Sequence, residues 1–468
     1  MAEQNILDEC NKDKKIIFIE PRGIKTNVFA RGMSLPLLGL ISLATMLKKE
    51  GYDVQVYNEN ILGRDISTHE LKADLLCITG LTSTIKRGYQ IAMQFKALNP
   101  NGKVIIGGIH ASFMKEEAGK YADIIVSGEG ESIILNLIKN GSKEKFIDAA
   151  KVEDMNSIPI PDFSVLKNSS RMRITPIMTS RGCPFGCNFC SVTAMFGRKF
   201  RTRDVEKVVQ EFRRIKTRTA FFYDDNLCAD KQRAINLFGS LEKENKNVKW
   251  SAQVRCDAAQ DEKLLGKMAG AGCQIAFIGF ESVNQKTLDS YNKSQSIDDI
   301  KNAIKKFHNY GIRIHGMFVL GSDEDDKSIF RTTTRFCNDY DIDSVQYMIL
   351  TPSPGTQLYN NLNAQNRLLH KKWQFYDGMH VVFRPKLLSP SELQQGAIDC
   401  YKDFYTYSKA LNGAANVVYD STINYLKSSG EKLRRYFPKN WDTTLLGKYI
   451  LKKWLKQNKN YVRYLRTV

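Results

Sequence analysis

The sequence predicts an α/β protein: an N-terminal flavodoxin-like (Rossmann-type) doubly wound domain, a partial (β/α)6 barrel, and a mainly helical C-terminal region. Two observations carry this. Short apolar runs alternate with amphipathic helical patterns in two separate series, and a proline-containing stretch divides them. At 468 residues the chain exceeds what one hydrophobic core supports, so several domains are expected. The boundaries read as 1–150, a linker over 151–172, 173–390 and 391–468.

In the first series, strand-like runs fall at 16–20, 52–57, 74–79, 103–106 and 123–126, with helical patterns at 35–50, 87–98, 111–121 and 131–139. Apolar strands separated by amphipathic helices imply a parallel sheet covered on both faces. In such a sheet ligands lie at the carboxyl ends of the strands. Those ends read Thr79-Gly-Leu-Thr-Ser83, Gly107-Gly-Ile-His110 and Ser127-Gly-Glu-Gly-Glu131. Close approach to a large flat ligand explains these glycines; tight turns explain them equally well. In the linker, Pro159 and Pro161 fix their own backbone and push Ile158 and Ile160 into extended conformations.

The second series has strands at 174–178, 220–223, 248–254, 274–279, 312–320 and 344–350. The helix over 204–215 places Val205, Val208, Val209, Phe212 and Ile215 on one face. Six units are too few for an eightfold barrel, so an open one is expected, with its chemistry at the carboxyl ends of the strands.

After the first of these strands comes Arg181-Gly-Cys-Pro-Phe-Gly-Cys-Asn-Phe-Cys190, a C-x3-C-x2-C loop of Cys183, Cys187 and Cys190. Zinc sites usually take four ligands as two separated pairs, and no second C-x2-C occurs in the chain. Three thiolates instead hold three irons of a 4Fe–4S cluster and leave the fourth open to a substrate, whereas four-cysteine clusters are closed. Phe189 is placed to shield such a cluster from water.

The other strand ends are polar: Tyr223-Asp-Asp-Asn226, Gln253-Val-Arg255, Gly279-Phe-Glu-Ser282, the run His315 to Asp323, and Thr351 to Thr356. Carboxylates receive an ammonium and arginine receives a carboxylate, so this rim suits a zwitterionic, nucleoside-bearing ligand. Helix capping is the plain alternative for any one of them. His315 is either substrate-facing or a hydrogen-bonded core residue, Cys228 is close enough in sequence to reach the site, and Cys77, Cys273 and Cys337 read as packing.

The cysteine loop, with an aromatic residue before its last cysteine, resembles the signature of the radical SAM superfamily. The runs 222–226, 278–282, 316–321 and 351–356 resemble the strand ends of the subgroup that joins a cobalamin-binding-type domain to a partial barrel, over roughly residues 15–405. The resemblance implies S-adenosylmethionine chelating the open iron and a 5′-deoxyadenosyl radical that removes hydrogen from an unreactive C–H bond. In methyltransferase members methylcobalamin then donates the methyl group. By the same resemblance, Asp224 and Asp225 lie near the methionine ammonium, Arg255 near its carboxylate, Glu281 and Ser282 near ribose, and the Phe318–Gly321 backbone near adenine. Phe189 and Gln253 complete that set, and Thr79, Leu81, Gly107 and Gly108 contact cobalamin. The D-x-H-x-x-G run of many cobalamin domains, whose histidine the radical members often lack, is absent: Pro21-Arg-Gly-Ile-Lys-Thr26 stands there, and the first histidine, His69, reads as solvated. Cobalamin is thus expected without a protein nitrogen on cobalt.

Ten scattered cysteines, a polar N-terminus and no apolar run long enough to span a bilayer lead to an expected cytoplasmic location. Of the net charge of +19, residues 423–468 contribute +10, twelve Lys or Arg against Glu431 and Asp442. Tyr425, Tyr436, Phe437, Trp441, Tyr449, Trp454, Tyr461 and Tyr464 are interleaved there. Such a tail sits on anionic lipid, on nucleic acid, or on the protein's own core. Leu445, Leu446, Tyr449, Ile450 and Trp454 near one helical face make peripheral membrane contact an expectation. The expected partners are a small-molecule or lipid substrate and a reductant such as flavodoxin or ferredoxin. C-methylation is the leading function. Cyclisation, carbon–carbon coupling or oxidation of a lipid or pigment precursor is the alternative. A tRNA-modifying enzyme ranks lower, since no RNA-binding barrel is evident.

Overall fold

Two parallel six-stranded sheets carry the chain in the computed structural model, which describes residues 5–26, 28, 35–244, 246–406 and 441–468, the side chains of 441–443 excepted. The first contains β1 (Lys15–Glu20), β2 (Asp53–Asn58), β3 (Leu75–Thr79), β4 (Lys103–Gly107), β5 (Ile124–Gly128) and β6 (Phe146–Ala149), in the order β2-β1-β3-β4-β5-β6. Helices cover both faces, so central strands are continuously apolar: Ile16, Ile17, Phe18 and Ile19 are fully buried. The strand order reverses between β1 and β3, placing Glu20 and Thr79 beside the switch point where such sheets bind ligands.

Strand β6 was not expected from the sequence. It is an edge strand of four residues whose only buried side chain is Ile147, so it has no apolar run. The single helix expected over 111–121 is two short helices, Ile109–Phe113 and Lys115–Ala118, broken at Met114. The proline linker lies along the β2 edge, where Lys167 N donates to Val56 O at 2.9 Å.

The second sheet contains β7 (Ile174–Ile177), β10 (Thr219–Phe222), β11 (Lys249–Val254), β12 (Cys273–Glu281), β13 (Arg313–Leu320) and β14 (Ser344–Ile349), paired in chain order from β7 to β14. Between β7 and β10 stands an antiparallel ribbon of β8 (Ser180–Arg181) and β9 (Arg201–Thr202), from which the cysteine loop hangs. The barrel strands alternate over much of their length and are continuously buried toward the carboxyl ends of β12 and β13. Phe222, Trp250, Ala252, Ile314 and Tyr347 are buried against the helices, while Phe221, Ser251, Gln253, Phe277, His315, Met317, Gln346 and Met348 are half-buried on the inner face. A closed barrel fills its interior with side chains; this one leaves its inner face open to a ligand.

Helix Pro390–Phe404 begins with a capping box, Ser389 with Glu392, and packs on β14. The helices Trp441–Gln457 and Lys459–Tyr464 follow. Trp454 and Tyr461 are buried in the barrel's outer core, with Tyr461 Oη donating to Val381 O at 2.7 Å. The tail therefore sits partly on the protein's own core. Of the face offered to a membrane, Leu445, Leu446 and Tyr449 are exposed and Trp454 is not. Tyr425, Tyr436 and Phe437 lie outside the described residues. Among the described residues no helix is long and apolar enough to cross a membrane.

Candidate active site

The carboxyl ends of the two sheets face one another across a shared cleft. Glu129 and Glu131, after β5, form ion pairs with Arg181 of the ribbon. Gly355, after β14, lies against the Phe113 ring, so a Cβ there would meet it at 2.3 Å. Burial and the charge of Glu20, at the end of β1, raise the Tyr223 phenol above its ordinary range. Burial likewise pushes the Glu20 carboxyl up to about 7, against the Leu37 N–H that donates to it.

The cysteine loop opens into this cleft. Gly182 has φ +89°, and a Cβ there would stand 2.4 Å from Lys199 O, so the two legs of the loop close tightly only with glycine. Its tip is tied to the stretch after β12: Asn188 Nδ2 donates to Ser290 O at 2.7 Å and Asn292 Nδ2 to Gly186 O at 3.0 Å. Cys183, Cys187 and Cys190 are half-buried, whereas the other seven cysteines are buried. Of the ten cysteines, these three alone are not buried. Burial pushes the Cys190 thiol up to about 11 and raises Cys183 too, so neither is a free thiolate nucleophile at neutral pH. Soft donors of this kind, deprotonated on binding, suit an iron–sulfur centre. Among the described residues no group of three His, Cys, Asp or Glu converges on a point as for a single ion.

Around the loop, the predicted residues divide. Arg255 lies over the Phe185 ring at 3.7 Å and donates to Lys293 O at 2.7 Å, placing a cation beside Cys183. Asp225 is half-buried next to Cys183 and Cys190. Burial, then the Asp224 charge, pushes its carboxyl up to about 6. Gln253 is half-buried on the inner face. Phe189 meets Tyr291 edge-on at 4.9 Å, closing the loop's flank.

Four of the residues singled out in the sequence have structural partners of their own. Asp224 is fully buried and turned away from the cleft. It accepts from Thr179 N at 3.1 Å, Thr179 Oγ1 at 2.8 Å and the Ser180 hydroxyl, a structural set of donors. Ser282 is buried and its Oγ accepts from Asn284 N at 3.0 Å, a turn contact rather than an open ribose partner. Gly321 packs under Leu393, with its N–H donated to Asp325 Oδ2 at 3.1 Å. Cys228 is core packing and does not reach the cleft.

Glu281 has φ +62° at a β-bulge and accepts from Lys293 Nζ at 2.6 Å, both side chains being buried. Lys293 had no sequence signal, because a lysine's burial shows only in the fold. In the first sheet, Gly108 packs on Thr79, where a Cβ would stand 2.3 Å from Thr79 Oγ1. Leu81 beside them is 44% exposed. Gly107 and Gly108 are half-buried at the end of β4. At the end of β1, Arg22 is turned into an ion pair with Asp65 at 2.6 Å, and no histidine occupies that loop. His69 is exposed, and His110 is buried with Nδ1 3.2 Å from Thr82 Oγ1.

His315 projects from the inner face of β13, with Nδ1 2.8 Å from Ser344 Oγ and its ring 4.6 Å from Phe277. Burial pushes it down to about 4, so it is neutral at physiological pH. The inner face from Phe221 to Met348 is therefore aromatic, thioether, amide and hydroxyl, without formal charge at mid-height.

Comparison with known proteins agrees with this arrangement. The Radical SAM superfamily model matches residues 177–335 and the B12 binding domain model matches 24–138. Bacteriochlorophyllide d C-12(1)-methyltransferase of Chlorobaculum tepidum is 29% identical over 86% of this chain and 90% of its own length. The anaerobic magnesium-protoporphyrin IX monomethyl ester cyclase of Cereibacter sphaeroides is 27% identical over 84% of this chain and 70% of its own. In fold, the chain resembles the radical S-adenosylmethionine methyltransferase TsrM of Kitasatospora setae, solved with cobalamin and a [4Fe-4S] cluster. The TM-score is 0.67 at 15% identity, covering 95% of this chain and 99% of that one. With both family models on one chain, over the two sheets that face each other across the cleft, this protein belongs to the radical SAM superfamily, in the group that carries a B12 binding domain.

Proposed function

We propose that this chain is a cobalamin-dependent radical SAM enzyme that methylates an unactivated carbon of a small, largely neutral substrate. The observation that carries the reading is the set of three half-buried thiols on one loop, whose stem is ion-paired to the carboxyl end of the first sheet. When bound, the cluster supplies the electron that opens the sulfonium of S-adenosylmethionine, and the corrinoid supplies a methyl group. The chain's residues do the rest. Cys183, Cys187 and Cys190 hold the cluster. Asp225 receives the methionine ammonium and Arg255 its carboxylate, with the guanidinium held flat by Phe185. Lys293 steadies Glu281 for a ribose hydroxyl. Thr79, Leu81, Gly107 and Gly108 offer the corrinoid a shallow, partly apolar floor. The uncharged inner face with Phe221, Phe277 and His315 accepts the neutral part of the substrate and keeps water from the radical.

The test is anaerobic reconstitution with iron, sulfide and cobalamin, with reduced flavodoxin as electron donor and candidate neutral substrates. Formation of 5′-deoxyadenosine and S-adenosylhomocysteine together is expected. 5′-Deoxyadenosine alone, with a modified substrate, would favour the cyclase-like outcome suggested by the Cereibacter relative's name.

Exposed Leu445, Leu446 and Tyr449, flanked by Lys448, Lys452 and Lys453, also support a peripheral contact with anionic lipid. Truncating the tail would strip Trp454 and Tyr461 from the core, so the double variant Leu446→Glu/Tyr449→Glu is the cleaner probe. It should cut sedimentation with phosphatidylglycerol vesicles about tenfold. Unchanged sedimentation would dismiss the contact.

A further inference from the structure

The cysteine loop hangs from two residues that ought to repel. Arg181 and Arg201 are directly opposite one another on the β8–β9 ribbon, and like charges in that position destabilise a strand pair. Both are buried, and so are the two carboxylates that meet them from the loop after β5. Glu129 Oε2 accepts from Arg181 Nη1 at 2.9 Å and from Arg201 Nη1 at 3.0 Å, while Oε1 accepts from Arg201 Nη2 at 2.5 Å. Glu131 Oε1 accepts from Arg181 Nη2 at 2.9 Å. Val152 N, on the connection out of the first sheet, donates to Glu129 Oε2 at 3.0 Å, and Arg201 Nη1 donates to Val152 O at 2.6 Å. A single carboxylate, Glu129, thus grips both legs of the loop.

The four side chains balance in charge, two guanidinium groups against two carboxylates, so the network is neutral as a whole and unbalanced if any member is lost. A surface pair would be freely exchanged for water. Here the Glu129 side chain is 1% exposed and that of Arg201 is 2%. Bidentate guanidinium–carboxylate geometry fixes orientation as well as distance. The partners are 52 and 72 positions apart in the chain, one side on the first sheet and the other on the stem of the cysteine loop.

We propose that Glu129, aided by Glu131, is a positioning residue. It clamps both legs of the cysteine loop to the carboxyl end of β5 and so sets the separation of the cluster from the corrinoid floor at Thr79 and Gly108. This rests on the reading that both cofactors are bound. Glu129 does not touch either reacting centre; it acts through Arg181 and Arg201.

The test uses the full chain, reconstituted anaerobically with cluster and cob(II)alamin and reduced in the absence of substrate. Pulsed dipolar electron paramagnetic resonance then reads the distance between the two spins. The wild type should give one narrow distribution. Glu129→Gln, which keeps the shape and removes the charge, should broaden it about twofold with iron and cobalt content unchanged, and Glu129→Asp should restore most of the narrowing. An unchanged width in Glu129→Gln would overturn the proposal. Should that variant not fold, Glu131→Gln leaves the Glu129–Arg201 pair intact and should broaden the distribution less; an unchanged width there would overturn it equally. If the wild type binds no cobalamin, the functional reading fails first. The clamp is then judged on the apoprotein by hydrogen exchange. Loss of protection over 128–133 and 180–182 in Glu129→Gln supports it, and retained protection overturns it.

Discussion

Replacing any one of Cys183, Cys187 or Cys190 by alanine should reduce 5′-deoxyadenosine formation by about three orders of magnitude or more, because the ligand set acts as a unit. Iron content measured after anaerobic reconstitution should fall with it. The other seven cysteines are buried in the cores and cannot move to replace a lost ligand without unpacking their surroundings. Cys228→Ser is the control. It lies near the cleft in sequence but in the core in space, and should retain full iron. A single-cysteine variant that kept both its iron and its activity would remove the basis of the assignment.

The second large effect concerns stability. Asp224→Ala should lower the free energy of unfolding by about 3 kcal/mol, measured as a shift in denaturant midpoint on the apoprotein. The physical cause is the loss of one buried acceptor that serves Thr179 N, Thr179 Oγ1 and the Ser180 hydroxyl at once. Three donors would be left unsatisfied, beside Arg233, which donates to Thr179 O at 3.1 Å. These residues form the step from β7 into the ribbon, so cluster loading should fall too. Asp225→Asn should behave oppositely. Its carboxylate is half-buried at the cleft, so the midpoint should stay near wild type while S-adenosylmethionine affinity drops. Equal destabilisation by both changes would show that Asp225 is a structural carboxylate too, and the reverse pattern that the two have been assigned the wrong way round.

That pair illustrates what a sequence carries and what it does not. Apolar runs such as Ile16 to Ile19, buried on both faces, announce a parallel strand without help from the fold. The cysteine spacing is equally local, because all three ligands sit within eight residues. Asp224 and Asp225 share a turn, and only the way that turn leaves β10 decides which points inward. Strand β6, an edge strand with one buried side chain, carries no apolar pattern in the sequence. The contacts of Glu129 with Arg181 and Arg201 span more than fifty positions and have no periodicity at all. Two arginines bracketing a metal-binding loop, and acidic residues in a glycine-rich turn, were the available hint: buried charges need partners. The inner face of the barrel lies between these cases. Its six strands and their polar ends are legible in the sequence, and that it stays open rather than filled follows from the barrel's incompleteness.

The most direct test of the central claim is the low-temperature electron paramagnetic resonance spectrum of the reduced, reconstituted protein before and after addition of S-adenosylmethionine. A 4Fe–4S signal whose g-values shift when the sulfonium nucleotide is added is the predicted result, since the ligand would occupy the iron that the three thiolates leave free. A cluster signal that does not respond to the nucleotide, or no cluster signal at all, would contradict it.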